Sequence, residues 1–422
     1  MGPISGAKYH ASHVQLGTTR IDGLLYEPNA GSPHQRVALV FSNPANLGFT
    51  VPAAELASRG YRVLFVTHHV GGNQGGDLAS PLDGFEETSR AITYARTLPG
   101  VEKVVIIGWG AGGVAMTLYD NVAEHGPAAC QGAGVLYPCK TADAVDRAKP
   151  DGLILLEPGL GAGSQVNDVD PAYDGAARSR SALDMFAPSN GYDAKTGAAA
   201  YPAEFRARYF AAQSERNDQI VDAAVARLKL IEAGKGTYPG NEPLIVPGLR
   251  LDGSAASLHD TDLSILAHTK RPHLLLKADG SKPTEILRSV RPTMSGVKLV
   301  GRVSPCCSNT VRSALANDLI RTTKDFALTE DDIVGVDWKS SNTGTPANAE
   351  GVTVPTLVMT VTCWEFVVPS EIVFDHLASN DKVMVGVEGA DHDFNACRPE
   401  YGNPKERMFD YVADWLNQPG RF

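Results

Sequence analysis

A chain of 422 residues with 43% hydrophobic content is long for a single domain and carries enough apolar side chains for a large core. Against 48 acidic residues stand 38 basic ones, a net charge of −10 with no basic cluster, which argues against nucleic acid and against an anionic membrane surface as partners. No run reaches the ~18 apolar residues of a membrane span, and Met1-Gly2-Pro3-Ile4-Ser5-Gly6 has neither the basic nor the apolar region of a signal peptide. The cysteines are Cys130, Cys139, Cys306, Cys307, Cys363 and Cys397. They form no paired CxxC spacing, so no metal is assigned and mostly reduced thiols in a cytoplasmic protein are expected.

In chain order, residues 8–28 read as an antiparallel hairpin, with His13-Val14-Gln15-Leu16 turning into Ile21-Asp22-Gly23-Leu24-Leu25-Tyr26. Arg36-Val37-Ala38-Leu39-Val40-Phe41 is a near-continuous apolar strand that stops at the breaker-rich Ser42-Asn43-Pro44-Ala45-Asn46. A helix over 52–59 leads into a strand over 60–66, then His68, His69 and a glycine-rich loop through Gly76. An amphipathic helix over 84–98 precedes a strand over 101–107, and further strands are predicted over 132–137 and 151–157. This alternation predicts an α/β, doubly wound and mainly parallel sheet.

From 159 to 350 no regular alternation is visible, apart from a helix over 203–233 with Phe205, Tyr209, Ile220 and Leu228 on its core faces. The pattern returns with a strand over 354–361, a helix near 370–377, a strand over 382–387 and a last helix over 404–416. Residues 1–158 and 351–422 are therefore expected to form one core, interrupted by a mostly helical insertion over 159–350.

The most informative stretch is Val104-Val105-Ile106-Ile107-Gly108-Trp109-Gly110-Ala111-Gly112-Gly113. A β-branched strand, a tight glycine turn and a helix make the frame of a nucleophile elbow, G-x-S-x-G, with Gly110 where the serine belongs. The turn would aim the Ala111 amide at a reacting oxygen. Gly108, Gly110 and Gly113 also fit the G-x-G-x-x-G of dinucleotide-binding turns. That fingerprint belongs to a first β–α unit with an acidic residue about 20 positions on. Here other β–α units come first, and Asp120 and Glu124 lie too early, on the helix itself.

His392, in Glu388-Gly389-Ala390-Asp391-His392-Asp393-Phe394, follows the last apolar strand, the place of a general base after an elbow. Asp391 and Asp393 flank it too closely to orient it. Glu365, after the strand ending at Val361, is the first choice for the orienting carboxylate, and Glu157, at the end of the earlier strand, is the alternative. Ala45 is a candidate second oxyanion donor, because neighbouring Pro44 has no N–H. His68 and His69 point apart on an extended chain and read as pocket rim.

These segments resemble the α/β-hydrolase superfamily: the elbow frame, Gly60-Tyr61-Arg62-Val63, Val354-Pro355-Thr356-Leu357-Val358, and Gly389-Ala390-Asp391-His392. Leu183-Asp184-Met185-Phe186, Pro188-Ser189-Asn190-Gly191-Tyr192, Tyr209-Phe210-Ala211-Ala212-Gln213 and Cys397-Arg398-Pro399-Glu400-Tyr401-Gly402 are similar to a subgroup of bacterial and fungal members. The resemblance covers about residues 10–158 and 350–420. It implies an α/β-hydrolase fold, with Gly110 in the nucleophile slot, His392 as base, Glu365 as acid and Ala111 in the oxyanion hole. The insertion then resembles a cap that shapes the pocket. The implied activity is serine-type hydrolysis of a bulky ester, lactone or amide without a cofactor, here with the nucleophile removed. Two alternatives stay open. Gly110 could be native and serve non-hydrolytic chemistry through His392, or the chain could bind a ligand silently. A small-molecule substrate is the expected partner, and a homodimer through the cap stays open.

Overall fold

Ten strands make one sheet, and its order places the elbow near the centre. The computed structural model describes residues 8–16, 22–29, 31, 33–43, 50–67, 85–139, 147–248, 257–293 and 310–422. The strands are β1 (Tyr9–Gln15), β2 (Asp22–Pro28), β3 (Val37–Asn43), β4 (Arg62–Thr67), β5 (Lys103–Trp109), β6 (Gly152–Leu156), β7 (His268–Leu276), β8 (Thr284–Arg288), β9 (Thr356–Val361) and β10 (Lys382–Val387). Their order is β1-β2-β4-β3-β5-β6-β9-β10-β7-β8. The strands from β4 to β7 in this order run parallel. The hairpin β1–β2 at one edge and β8 at the other run antiparallel to their neighbours. A doubly wound sheet whose central strand ends in a strand–glycine–helix elbow is the α/β-hydrolase fold.

The central strands are apolar throughout because both their faces are covered. In β5, Val104 and Ile106 join one core, while Val105, Ile107 and Trp109 join the other. In β6, Leu153 and Leu155 alternate with Ile154 and Leu156 in the same way. Helices α1 (Val51–Ser58) and α6 (Pro404–Leu416) cover one face. Asn403 caps α6 by accepting from the Glu406 amide at 3.2 Å, and Pro404 occupies the first turn. Met408, Phe409, Val412, Trp415 and Leu416 then fall on one stripe and are buried. Helices α2 (Phe85–Ala95), α3 (Ala111–His125) and α5 (Val367–His376) cover the other face.

The insertion departs from the expected boundaries. Within residues 159–350, β7 and β8 extend the main sheet. Leu274, Leu275 and Leu276 pair in parallel with Val385, Gly386 and Val387 of β10. The polar start of β7, Thr269-Lys270-Arg271-Pro272-His273, hides this strand from an apolar pattern. The long helix α4 (Ala203–Glu232) forms as the sequence predicts, but Phe205, Tyr209 and Phe210 share one core with Met116 and Leu155. Its second half, through Val221, Ala224 and Leu228, packs on Val311, Ala314 and Leu315. The predicted strand over 132–137 is absent. That segment is an irregular loop closed by a Cys130–Cys139 disulfide.

Asp120, on the buried side of α3, is fully enclosed, and neither carboxylate oxygen has a hydrogen-bond partner among the described residues. Burial pushes its carboxyl up to about 8, with Glu124 adding to the rise and Lys149 opposing it. An unfolded Asp titrates near 3.9. Between the two values the folded chain binds more protons than the unfolded chain, so stability falls as pH rises and levels off above the folded value. Asp120→Asn removes this term. Urea midpoints of the variant should decline less than those of the parent from about pH 5 to about pH 8. Equal slopes would show that Asp120 is solvated or paired when ionised.

Candidate active site

The turn between β5 and α3 is built from residues that tolerate crowding. Gly110 has φ 54° and ψ −116°, in the left-handed half of the map, and α3 begins at Ala111. Its amide donates to the Leu156 carbonyl at 3.0 Å, which ties the turn to β6. A Cβ on Gly108 would run into the Gly112 carbonyl, and one on Gly113 would lie 3.1 Å from Pro158 Cα. Only glycine allows the helix to leave this close to its strand. The Ala111 amide belongs to the first turn of α3, where N–H groups have no acceptor within the helix, and Ala111 is exposed.

The space above Gly110 faces His392. A Cβ on Gly110 would lie 3.1 Å from His392 Nε2 and 3.2 Å from Cε1. The loop after β10 holds the ring there. Asp391 Oδ1 accepts from the amides of Asp393 at 3.0 Å and Asn395 at 2.8 Å, so its role is to shape the loop. Trp109 Nε1, from the elbow itself, donates to the His392 carbonyl at 3.1 Å. Trp364 stacks on the imidazole at 5.3 Å between ring centres, and Phe366 meets it edge-on at 5.6 Å. These aromatics were not singled out in the sequence. The available signal was Trp109 inside the elbow motif and two aromatics flanking Glu365.

The carboxylate nearest the imidazole is Glu157. Its Oε2 lies 3.5 Å from His392 Nδ1, within ion-pair range and looser than a hydrogen bond. Its Oε1 accepts from the Val361 amide at 2.7 Å and from the Thr360 hydroxyl at 2.9 Å, both on β9. Glu157 is buried and has φ 52°, a strained conformation for a side-chain-bearing residue. Burial raises its carboxyl above the usual value, and His392, the Val361 amide and the Thr360 hydroxyl pull it partly back.

The expectation that Glu365 orients His392 is therefore corrected. Glu365 Oε2 lies 3.1 Å from His259 Nε2, in the insertion. The cause is the path of the loop after β9. The Cys363 amide donates to the Ala390 carbonyl at 2.9 Å, and Cys363 is disulfide-bonded to Cys397. Trp364 then occupies the place against the imidazole, and the next side chain is turned to the insertion.

The cysteine expectation is corrected as well. Cys130–Cys139 and Cys363–Cys397 are disulfides, not reduced thiols, which removes the ground for expecting a cytoplasmic protein. Ala45, His68 and His69, as well as Cys306 and Cys307, lie outside the described residues. No helix is long and apolar enough to cross a membrane among the described residues.

No family model matches the chain, and no curated protein matches it. Solved structures do. A hypothetical protein from Pseudomonas aeruginosa is similar at 16% identity, covering 98% of this chain and 95% of its own, with a TM-score of 0.42. Carboxyl esterase 2 from the mycorrhizal fungus Tuber melanosporum matches at 8% identity, covering 98% and 87%, with a TM-score of 0.39. A monoacylglycerol lipase from Paleococcus ferrophilus matches at 13% identity, covering 94% and 98%, also at 0.39.

A side chain at position 110 would have to adopt the left-handed conformation that Gly110 accepts freely. Gly110→Ser should therefore lower stability by about 1–3 kcal/mol, read from urea midpoints. An unchanged or higher midpoint would show that the turn relaxes away from positive φ.

Proposed function

We propose that this chain is the nucleophile-deleted form of a serine hydrolase acting on a carboxylic ester, lactone or amide. The observation that carries the proposal is the 3.1 Å between a Cβ on Gly110 and His392 Nε2. A serine hydroxyl there would lie within reach of the imidazole. In the parent enzyme Ser at 110 attacks the carbonyl while His392 Nε2 takes its proton. Glu157, behind Nδ1, fixes the tautomer and stabilises the imidazolium. The Ala111 amide stabilises the oxyanion, His392 returns the proton to the leaving group, and water then hydrolyses the acyl-enzyme. Without the nucleophile, turnover falls by a factor on the order of 10⁶.

Gly110→Ser should restore turnover of activated short-chain esters by at least about 10³-fold, with an acyl-enzyme detectable by mass spectrometry. Adding Glu157→Gln should remove a factor on the order of 10⁴, whereas adding Glu365→Gln should cost far less. If Gly110→Ser gains nothing and His392→Ala abolishes an activity of the parent chain, the non-hydrolytic reading replaces this one. The reverse ranking of Glu157 and Glu365 would reassign the acid.

We further propose that the protein matures in an oxidising compartment, because two disulfides, one of them beside His392, are rare in the reducing cytosol. The unfolded, unreduced protein should expose at most Cys306 and Cys307 to a thiol reagent, against all 6 cysteines after reduction. Six reactive thiols before reduction would refute the assignment.

A further inference from the structure

The insertion reaches the loop beside His392 through a second cluster of potential ligands. His259 Nε2 lies 3.6 Å from Asp260 Oδ1 and 3.1 Å from Glu365 Oε2. All three donor atoms lie within 4.8 Å of one another. A cation at the centre of such a triangle would sit about 2.0–2.4 Å from each, the range of bonds from divalent metals to imidazole nitrogen and carboxylate oxygen. His259 and Asp260 are enclosed, with side-chain exposures of 7% and 1%, while Glu365 is 28% exposed and leaves a side open to water ligands.

The ligand atoms are held by groups behind them. His259 Nδ1 meets Ser257 Oγ at 2.6 Å, which orients the ring with Nε2 toward the two carboxylates. The Ser257 amide donates to Asp260 Oδ2 at 3.3 Å, which turns Oδ1 toward His259. Arg291, the nearby cation, spends its N–H groups on the carbonyls of His259, Ile265 and Leu266 and on Ser289 Oγ.

We propose that His259, Asp260 and Glu365 bind one divalent first-row transition-metal ion, of the Zn²⁺ or Mn²⁺ kind. One imidazole nitrogen with two carboxylate oxygens suits these ions better than Mg²⁺ or Ca²⁺, which take all-oxygen shells. The ion would join the insertion to the segment whose Trp364 and Phe366 flank His392. The competing arrangement is a protonated His259 bridging the two carboxylates with no metal.

The test is titration of the chelator-treated full chain with Zn²⁺, Mn²⁺ and Mg²⁺ by calorimetry, with metal content after gel filtration and melting temperature as parallel readouts. One Zn²⁺ or Mn²⁺ per chain should bind and raise the melting temperature, with Mg²⁺ far weaker. Glu365→Gln, at the exposed ligand, and His259→Gln should each weaken binding by at least about 100-fold. Circular dichroism checks that both remain folded. His392→Ala should leave the affinity unchanged. The proposal is overturned if neither Zn²⁺ nor Mn²⁺ binds at one per chain, if the folded Glu365→Gln variant binds as tightly as the parent, or if His392→Ala abolishes binding.

Discussion

The whole site depends on one steric constraint, the close packing of the glycine turn, where α3 meets β5 at Gly108 and the end of β6 at Gly113. With no Cβ at 108 the helix leaves its strand at backbone contact distance, and with none at 113 it packs against Pro158 at the end of β6. The positive φ at 110 then presents that position above the sheet edge. Because β3, β5, β6, β9 and β10 run parallel, their carboxyl ends meet at the same edge. Gly110, Glu157, Trp364 and His392 are far apart in sequence, yet each follows one of these strands closely.

The imidazole is held from several sides. Trp109 grips its backbone carbonyl, Trp364 and Phe366 cover the ring, and the Cys363–Cys397 disulfide ties together the loops that carry them. Glu157 is held by two hydrogen bonds from β9 in a strained backbone conformation. A carboxylate buried this deeply is stable as an anion only beside a cation or strong donors. Here the donors are the Val361 amide and the Thr360 hydroxyl, with the imidazole of His392 beside them.

The insertion shares its sheet and part of its core with the flanking segments. It lends two strands to the sheet and the aromatic face of α4 to the central core. It contacts the loop beside the site through His259 on Glu365, through the Ser289 hydroxyl on the Trp364 carbonyl at 3.3 Å and through the Val290 amide on the Thr362 carbonyl at 2.7 Å. Length and polarity suggested an appended cap, and part of that segment joins the main sheet and the central core.

The elements carried by apolar periodicity were legible in the sequence: the strands β3 to β6, β9 and β10, and the helices α1 to α6. So were the elbow and the late histidine, because each depends on residues next to one another in the chain. Strand β7 was hidden, since its charged start resembles a loop, and the apparent strand over 132–137 was apolar without being paired. The choice between Glu157 and Glu365 was beyond the sequence, which places a carboxylate at the end of each strand. Only tertiary structure shows which of the two lies beside the imidazole. The loop after β9, pinned at Cys363, puts Trp364 on the ring and turns Glu365 to the insertion, while β6 and β9 together enclose Glu157 behind Nδ1. Local sequence determined which residues turn, and long-range packing determined which of them face each other.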